Sequence, residues 1–173
     1  SSYYKVVLED AEGDKVTLRV TVDGRVSITK ALVDSVGNAS FNAADIRYVS
    51  IVVDDASATT GTVSITTAGL EYVPVISTVT TNAITVLPVG SAIAEMEPAG
   101  YNTVTSFTQT SASAASFAYN LAAATGANRW AGALISMGSG FSLAAQNLVI
   151  AATDAGSSYY KVVLEDAEGD KVT

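Results

Sequence analysis

Apolar and polar residues alternate over most of the chain with a period of two. Residues 14–22 show this most clearly, because their apolar side chains, at Val16, Leu18, Val20 and Val22, all fall on one side. A period of two predicts a β-strand with one buried face. Residues 46–53 carry apolar side chains on both faces, which predicts a strand at the centre of a sheet.

Turn residues separate these segments about every eight to twelve residues, a spacing typical of an all-β sandwich or barrel. We therefore predict almost no helix, because Thr125 and Gly126 end the one helix-like run, residues 121–124, before two turns form. Residues 76–87 are predicted to be an extended connector or an edge strand. The predicted strands are residues 3–9 and 14–22, which form a hairpin, and residues 25–32, 46–53, 62–67, 70–75, 101–110, 116–121, 130–137 and 148–152.

One segment occurs twice without a single substitution. The sequence SSYYKVVLEDAEGDKVT spans residues 1–17 and again residues 157–173, so the offset is 157 minus 1, or 156 residues. The chain could be a window on a tandem array of such repeats, which is our preferred interpretation. It could also be a circular permutant with a spare hairpin, a subunit that donates one copy to a neighbour, or a duplication without structural consequence.

Composition and charge narrow the range of functions. The 173 residues are 49% apolar, enough for a buried core, and include neither cysteine nor histidine. A disulfide framework, a thiolate nucleophile and imidazole chemistry are therefore excluded. Nine basic residues against seventeen acidic ones give a net charge of −8, which disfavours nucleic acids and anionic membranes as partners and favours cations.

Membrane insertion is not expected either. The most apolar stretch, residues 131–152, is interrupted by glycine, serine, glutamine and asparagine, which would leave polar groups in hydrocarbon. The abundance of Ala, Ser, Thr, Val and Gly, with few Lys residues, resembles that of bacterial secreted surface proteins. We therefore expect an extracellular or cell-surface location.

Candidate binding chemistry lies in aromatic and acidic side chains. A sugar ring stacks on an exposed aromatic ring, so Trp130, Tyr101 and Tyr119 are candidate sugar-binding residues, although packing in the core is the favoured role for Trp130. Calcium could bind weakly at the hairpin turn through Asp10, Glu12 and Asp14, an arrangement that falls short of an EF-hand loop and is otherwise a solvated acidic turn. No other cofactor is predicted.

Catalysis is not expected. Glu95 and Glu97 would lie on one face of a strand, as the paired carboxylates of a glycosidase do, but no groove rich in aromatic residues accompanies them.

A longer pattern runs through residues 130–135, 141–143, 147–150 and 160–172 and then resumes at residues 44–53 and 61–65. This order of segments resembles bacterial carbohydrate-binding modules, which are jelly-roll β-sandwiches of the galactose-binding-like type. It implies a split or permuted jelly roll in which the front half follows the back half. Such modules often bind structural calcium through Asp residues after the closing Gly-Thr strand, but Thr66 and Thr67 stand at those positions here.

The resemblance and the duplication together predict four regions. Residues 1–75 form the back half of the jelly roll with the first hairpin copy, residues 76–89 the connector, residues 90–156 the front half, and residues 157–173 the second copy.

Two functions remain open at this point. The first is a structural repeat or subunit of an extracellular filament or adhesin stalk, joined head to tail through the duplicated hairpin. The second is a carbohydrate-binding module without catalytic activity. The partners would be other copies of the chain or a glycan. The residues predicted to mediate self-association are Tyr3, Tyr4, Val6 and Leu8 in the first copy and Tyr159, Tyr160, Val162 and Leu164 in the second.

Overall fold

Twelve strands, one short α-helix and two 3₁₀ turns make up the described part of the chain. The computed structural model describes residues 4–9, 15–20, 24–36, 41–54, 60–72, 84–85, 87–154 and 160–165. The strands are β1 (Tyr4–Glu9), β2 (Lys15–Val20), β3 (Gly24–Ile28), β4 (Ile46–Val53), β5 (Thr60–Tyr72), β6 (Ile84–Thr85), β7 (Ala92–Met96), β8 (Val104–Ser111), β9 (Ala114–Asn120), β10 (Ala131–Phe141), β11 (Gln146–Asp154) and β12 (Tyr160–Glu165). The α-helix is α1 (Lys30–Val36), and the 3₁₀ turns are Leu121–Ala123 and Gly126–Asn128.

The strands form two six-stranded sheets. The first sheet has the order β2-β1-β12-β4-β10-β7, and every pair in it is antiparallel except β1 with β12. The second sheet has the order β3-β11-β5-β9-β8, with β6 beside β5, and is antiparallel throughout. Within the described ranges, no helix has the length and apolarity to cross a membrane.

A single hydrophobic core lies between the two sheets. Alternate residues of β4, β9, β10 and β11 enter it, as the period of two predicted. The contributors from the first sheet include Val49, Ile51 and Val53 of β4 and Ala131, Ala133, Ile135 and Met137 of β10; those from the second include Ala115, Phe117 and Tyr119 of β9 and Leu148 and Ile150 of β11. The predicted all-β sandwich is therefore confirmed.

Strands from both halves of the chain alternate within each sheet. In the first sheet β4, from the region predicted as the back half, pairs with β10 from the predicted front half. In the second sheet β11 lies between β3 and β5. The two halves thus build one sandwich, while the jelly-roll order of the strands stays a prediction.

The predicted strand at residues 25–32 was wrong in its second half. Strand β3 ends at Ile28, and α1 begins at Lys30. Thr29 caps the helix, since its Oγ1 accepts a hydrogen bond from the Leu32 N–H at 3.2 Å. An ion pair between Lys30 Nζ and Asp34 at 2.7 Å joins residues four apart, which lie together only on a helix.

The two strands predicted at residues 62–67 and 70–75 are one continuous strand where the structure describes them. Ala68 and Gly69 are not a turn but lie in the middle of β5, opposite Ile150 and Val149 of β11. A register shift between Ala151 and Ala152 accommodates one additional residue in β5. Short strand β6, in the segment predicted as a connector or edge strand, pairs with the far end of β5.

We predict that Gly132→Ala lowers the free energy of unfolding by about 1–3 kcal/mol. Gly132 lies opposite Val52, and a Cβ there would stand 2.6 Å from the backbone oxygen of Ile51, so β4 and β10 would have to separate. Urea denaturation measures the change. Ser136→Ala in the same strand is the matched control, and equal stability of the two variants would contradict the β4–β10 register.

Candidate functional site at the edge of β4

Strand β4 is the central strand on which the duplicated segments meet. One of its edges is occupied by β10, with Val49 opposite Ile135 and Ser50 opposite Leu134. A strand residue bonds to one neighbour on each side, so β4 has a single remaining edge for a further strand. We call this edge, from Tyr48 to Val53, the acceptor edge.

Both copies of the duplicated segment pair with the acceptor edge in the same register. Val7 and Val163 are each opposite Ser50. The same holds for Leu8 and Leu164 opposite Val49, and for Glu9 and Glu165 opposite Tyr48. The shared register follows from the identical sequences, since partners 156 residues apart carry the same side chains to the same positions.

The two copies differ in how much of the acceptor edge they cover. Strand β12 pairs along six residues, from Tyr160 opposite Val53 to Glu165 opposite Tyr48. Strand β1 pairs directly with β4 only at its last three residues. At Lys5 and Val6 it instead runs parallel to β12, opposite Lys161 and Val162. In the strand order of the sheet β12 lies between β1 and β4, while Tyr48, Val49 and Ser50 of β4 are paired with both copies.

The acceptor edge belongs to a strand that is buried on both faces. Val49, Ile51 and Val53 face the core, while Ser50 and Val52 on the other face are only 1% and 6% exposed. A backbone group left unpaired in such surroundings costs about 1–3 kcal/mol. An occupied acceptor edge is therefore strongly favoured over an empty one.

The self-association residues predicted from the sequence can be placed by register. Tyr160, Val162 and Leu164 are opposite Val53, Ile51 and Val49, which are the core-facing positions of the acceptor edge. In the first copy, Leu8 is also opposite Val49, Val6 is beside Val162, and Tyr4 is opposite Val20 of β2. Tyr3 and Tyr159 lie outside the described residues.

Sequence reasoning predicted β4 as a central strand but did not identify it as the acceptor for the duplicated segment. The available signal was the apolar character of both faces of residues 46–53, which requires a neighbour on each side. Arg47 and Asp45 hold the start of this strand through a bidentate ion pair, with Nε–Oδ1 at 2.5 Å and Nη2–Oδ2 at 2.8 Å. That hydrogen bonding to Asp45 raises the pKa of Arg47, so the guanidinium stays protonated.

The three candidate sugar-binding aromatics separate into two groups. Tyr119 is 2% exposed and its ring is tilted against Phe117, so the prediction that it offers a stacking surface was wrong. Tyr101 and Trp130 are half-buried and share one partner, Asn128. The Asn128 side chain donates to the Tyr101 hydroxyl at 3.3 Å. The backbone N–H of Trp130 donates to the backbone carbonyl of Asn128 at 2.9 Å.

The candidate metal ligands Asp10, Glu12 and Asp14 lie outside the described residues. Among the residues that are described, no group of three or more acidic side chains could hold a metal ion. Thr66 donates its hydroxyl to the Ala151 carbonyl at 3.1 Å.

The carboxylates considered for catalysis both lie at the C-terminal end of strand β7. Glu97 follows the strand and accepts a hydrogen bond from the Val104 N–H at 2.9 Å, which fastens the start of β8. Glu95 is exposed. A buried carboxylate that sequence reasoning missed is Glu71, 6% exposed, which is paired with Arg25 at 3.3 Å.

No protein-family model, curated protein or solved structure matches the chain. The resemblance to carbohydrate-binding modules therefore stays a prediction, and function has to be argued from the acceptor edge and the aromatic pair.

We predict that proline substitutions in the two copies are strongly non-additive. Val7 and Val163 occupy the same register position, and proline disrupts a strand because it lacks the N–H and restricts the backbone. Val163→Pro alone should change the free energy of unfolding by about 0.5 kcal/mol or less, since the first copy fills the acceptor edge. Val7→Pro alone should cost more, because Val7 is also opposite Thr17 in the β1–β2 hairpin. The double variant should lose about 2 kcal/mol or more.

Urea denaturation of the parent, both single variants and the double variant forms a double-mutant cycle that measures the coupling directly. Additive effects would mean that the two copies occupy independent places.

Proposed function

We propose that the chain is a structural repeat or subunit of an extracellular bacterial filament or adhesin stalk, without catalytic activity, joined head to tail through the duplicated segment. The observation that carries this proposal is the identical register of both copies on the acceptor edge of β4. One edge cannot bond fully to two strands at the same residues. An array in which each repeat carries one copy and one acceptor edge would resolve the competition.

The geometry of such a contact favours extension over closure. The donated segment and the acceptor edge are different surfaces, so a contact between them joins two units heterologously. A contact of this heterologous kind repeats without limit unless its rotation closes a ring. In a covalent array with the 156-residue period, each repeat would supply one copy of the segment and one acceptor edge, so copies and edges would be equal in number.

The outer surface of the second sheet also supports a structural role. Arg129 is the only charged residue between Pro98 and Thr153, although the chain as a whole carries a net charge of −8. Small hydroxyl side chains form a row across four adjacent strands of this sheet, namely Thr108, Ser116, Ser64 and Thr153. A flat surface of small uncharged groups lets neighbouring units approach without electrostatic repulsion.

Denaturing mass spectrometry together with light scattering tests the proposal. We expect either a covalent mass that increases in steps of 156 residues or a single 17.7 kDa chain that is polymeric in solution. The first result would indicate a tandem array, and the second would indicate assembly of separate subunits. A single chain that stays monomeric at all concentrations would refute the filament.

A second candidate function, glycan binding, is favoured by the arrangement of Tyr101 and Trp130. Both residues are half-buried, the Asn128 side chain donates to the Tyr101 hydroxyl, and Trp130 follows Asn128 by two residues, so two aromatic residues and an amide lie in one region. Sugars bind through this combination of ring stacking and directional hydrogen bonds. Avidity from repeated units would strengthen weak binding at each one.

We predict that, if the chain binds glycans, Trp130→Ala and Tyr101→Ala abolish binding on a glycan array, because each removes a stacking surface. Tyr119→Phe is the matched control, since Tyr119 is buried and its variant should bind as the parent does. Unchanged binding in all three variants would exclude this pair of rings as the platform.

A further inference from the structure

The two copies of the duplicated segment are held by different sets of partners. Strand β1 has a partner of its own in β2, with which it pairs along all six residues, from Tyr4 opposite Val20 to Glu9 opposite Lys15. Strand β12 pairs only with β4 and β1 among the described strands. Removing β12 would thus leave the β1–β2 hairpin intact, whereas β1 cannot leave without β2.

The strand before β12 in the chain does not hold it in place either. Strand β11 ends at Asp154 in the second sheet, and β12 begins at Tyr160 in the first. Packed sheets lie about 10 Å apart, and the six residue steps from 154 to 160 reach at most about 20 Å. The connection can therefore return β12 to its own sandwich or carry it to an adjacent one.

We infer that β12 is the strand donated between neighbouring units, and that a second copy of this chain accepts it between β1 and β4. This inference rests on the proposed function in its assembled form, and it adds the donor, the acceptor and the direction. The accepting unit would then have the strand order β2-β1-β12-β4-β10-β7, with β12 supplied by the neighbour.

The second copy is the fitting occupant because the acceptor edge matches this strand residue by residue. Its six-residue antiparallel register with β4 and its parallel register with β1 can form equally within a chain or between chains. Exchange of β12 between identical chains adds no contact and removes none, so it costs little free energy. The balance between the closed chain and the polymer is set by the connection and by concentration.

Paired cysteines test which copy crosses between chains. The chain has no cysteine of its own, and residues directly opposite in an antiparallel pair have Cα atoms about 4.5–5.5 Å apart, within disulfide range. Ser50 is opposite both Val163 and Val7, so Ser50→Cys can be combined with Val163→Cys in one variant and with Val7→Cys in its matched control.

After oxidation, we expect the Ser50→Cys/Val163→Cys chain to give a ladder of covalent multimers on a non-reducing denaturing gel. The Ser50→Cys/Val7→Cys chain should stay largely without a cross-link, because the donated β12 separates Val7 from Ser50. A ladder from the Val7 variant alone would overturn the inference, because β1 would be the donor. A single-chain band from the Val163 variant, while the parent is polymeric, would also overturn it. Neither result would contradict the proposed filament, whereas a monomeric parent would refute both the filament and the inference.

A change in the connection gives a second measurement that leaves both strands intact. Insertion of a Gly/Ser segment between residues 154 and 160 relaxes the return of β12 into its own sandwich. We expect light scattering to show a shift toward the mass of one chain. The same insertion between Val20 and Gly24 is the control and should leave the polymer unchanged. An equal response to both insertions would overturn the inference.

Discussion

The bonding capacity of one strand edge governs the rest of this structure. Strand β4 gives one side to β10 and has one side left, and two identical strands are in register with it. Because β4 is buried on both faces, an unpaired edge would leave backbone groups without water and without partners. The surrounding sandwich makes occupation of that edge necessary, but it does not specify which copy occupies it.

Much of the fold could be predicted from the alternation of side chains, because alternation reports directly which residues face a core. The alternation correctly predicted β9, β10 and β11, whose core residues recur at every second position. It failed between Lys30 and Val36, where Thr29 caps a helix and Lys30 pairs with Asp34. It also failed at Gly69, which resembles a turn in the sequence but lies within a strand supported by β11 along its length.

The candidate site was predictable in part. Identical sequences must have identical preferred partners, so competition for one place followed from the duplication alone. The identity of the acceptor strand did not, because Tyr48 to Val53 are distant in sequence from both copies and only the folded sheet brings them together. The burial of Tyr119 was equally hidden, since an aromatic ring in an alternating strand gives no sign of which face will be covered.

The antiparallel ladder between β4 and β12 also determines how the contact would respond to mechanical load. Hydrogen bonds in such a ladder lie perpendicular to the strands. Tension applied along β12 would therefore shear all the bonds of its six paired residues together, whereas a pull across the sheet would break them one after another. A joint of this geometry resists stretching along the strand direction far better than it resists peeling.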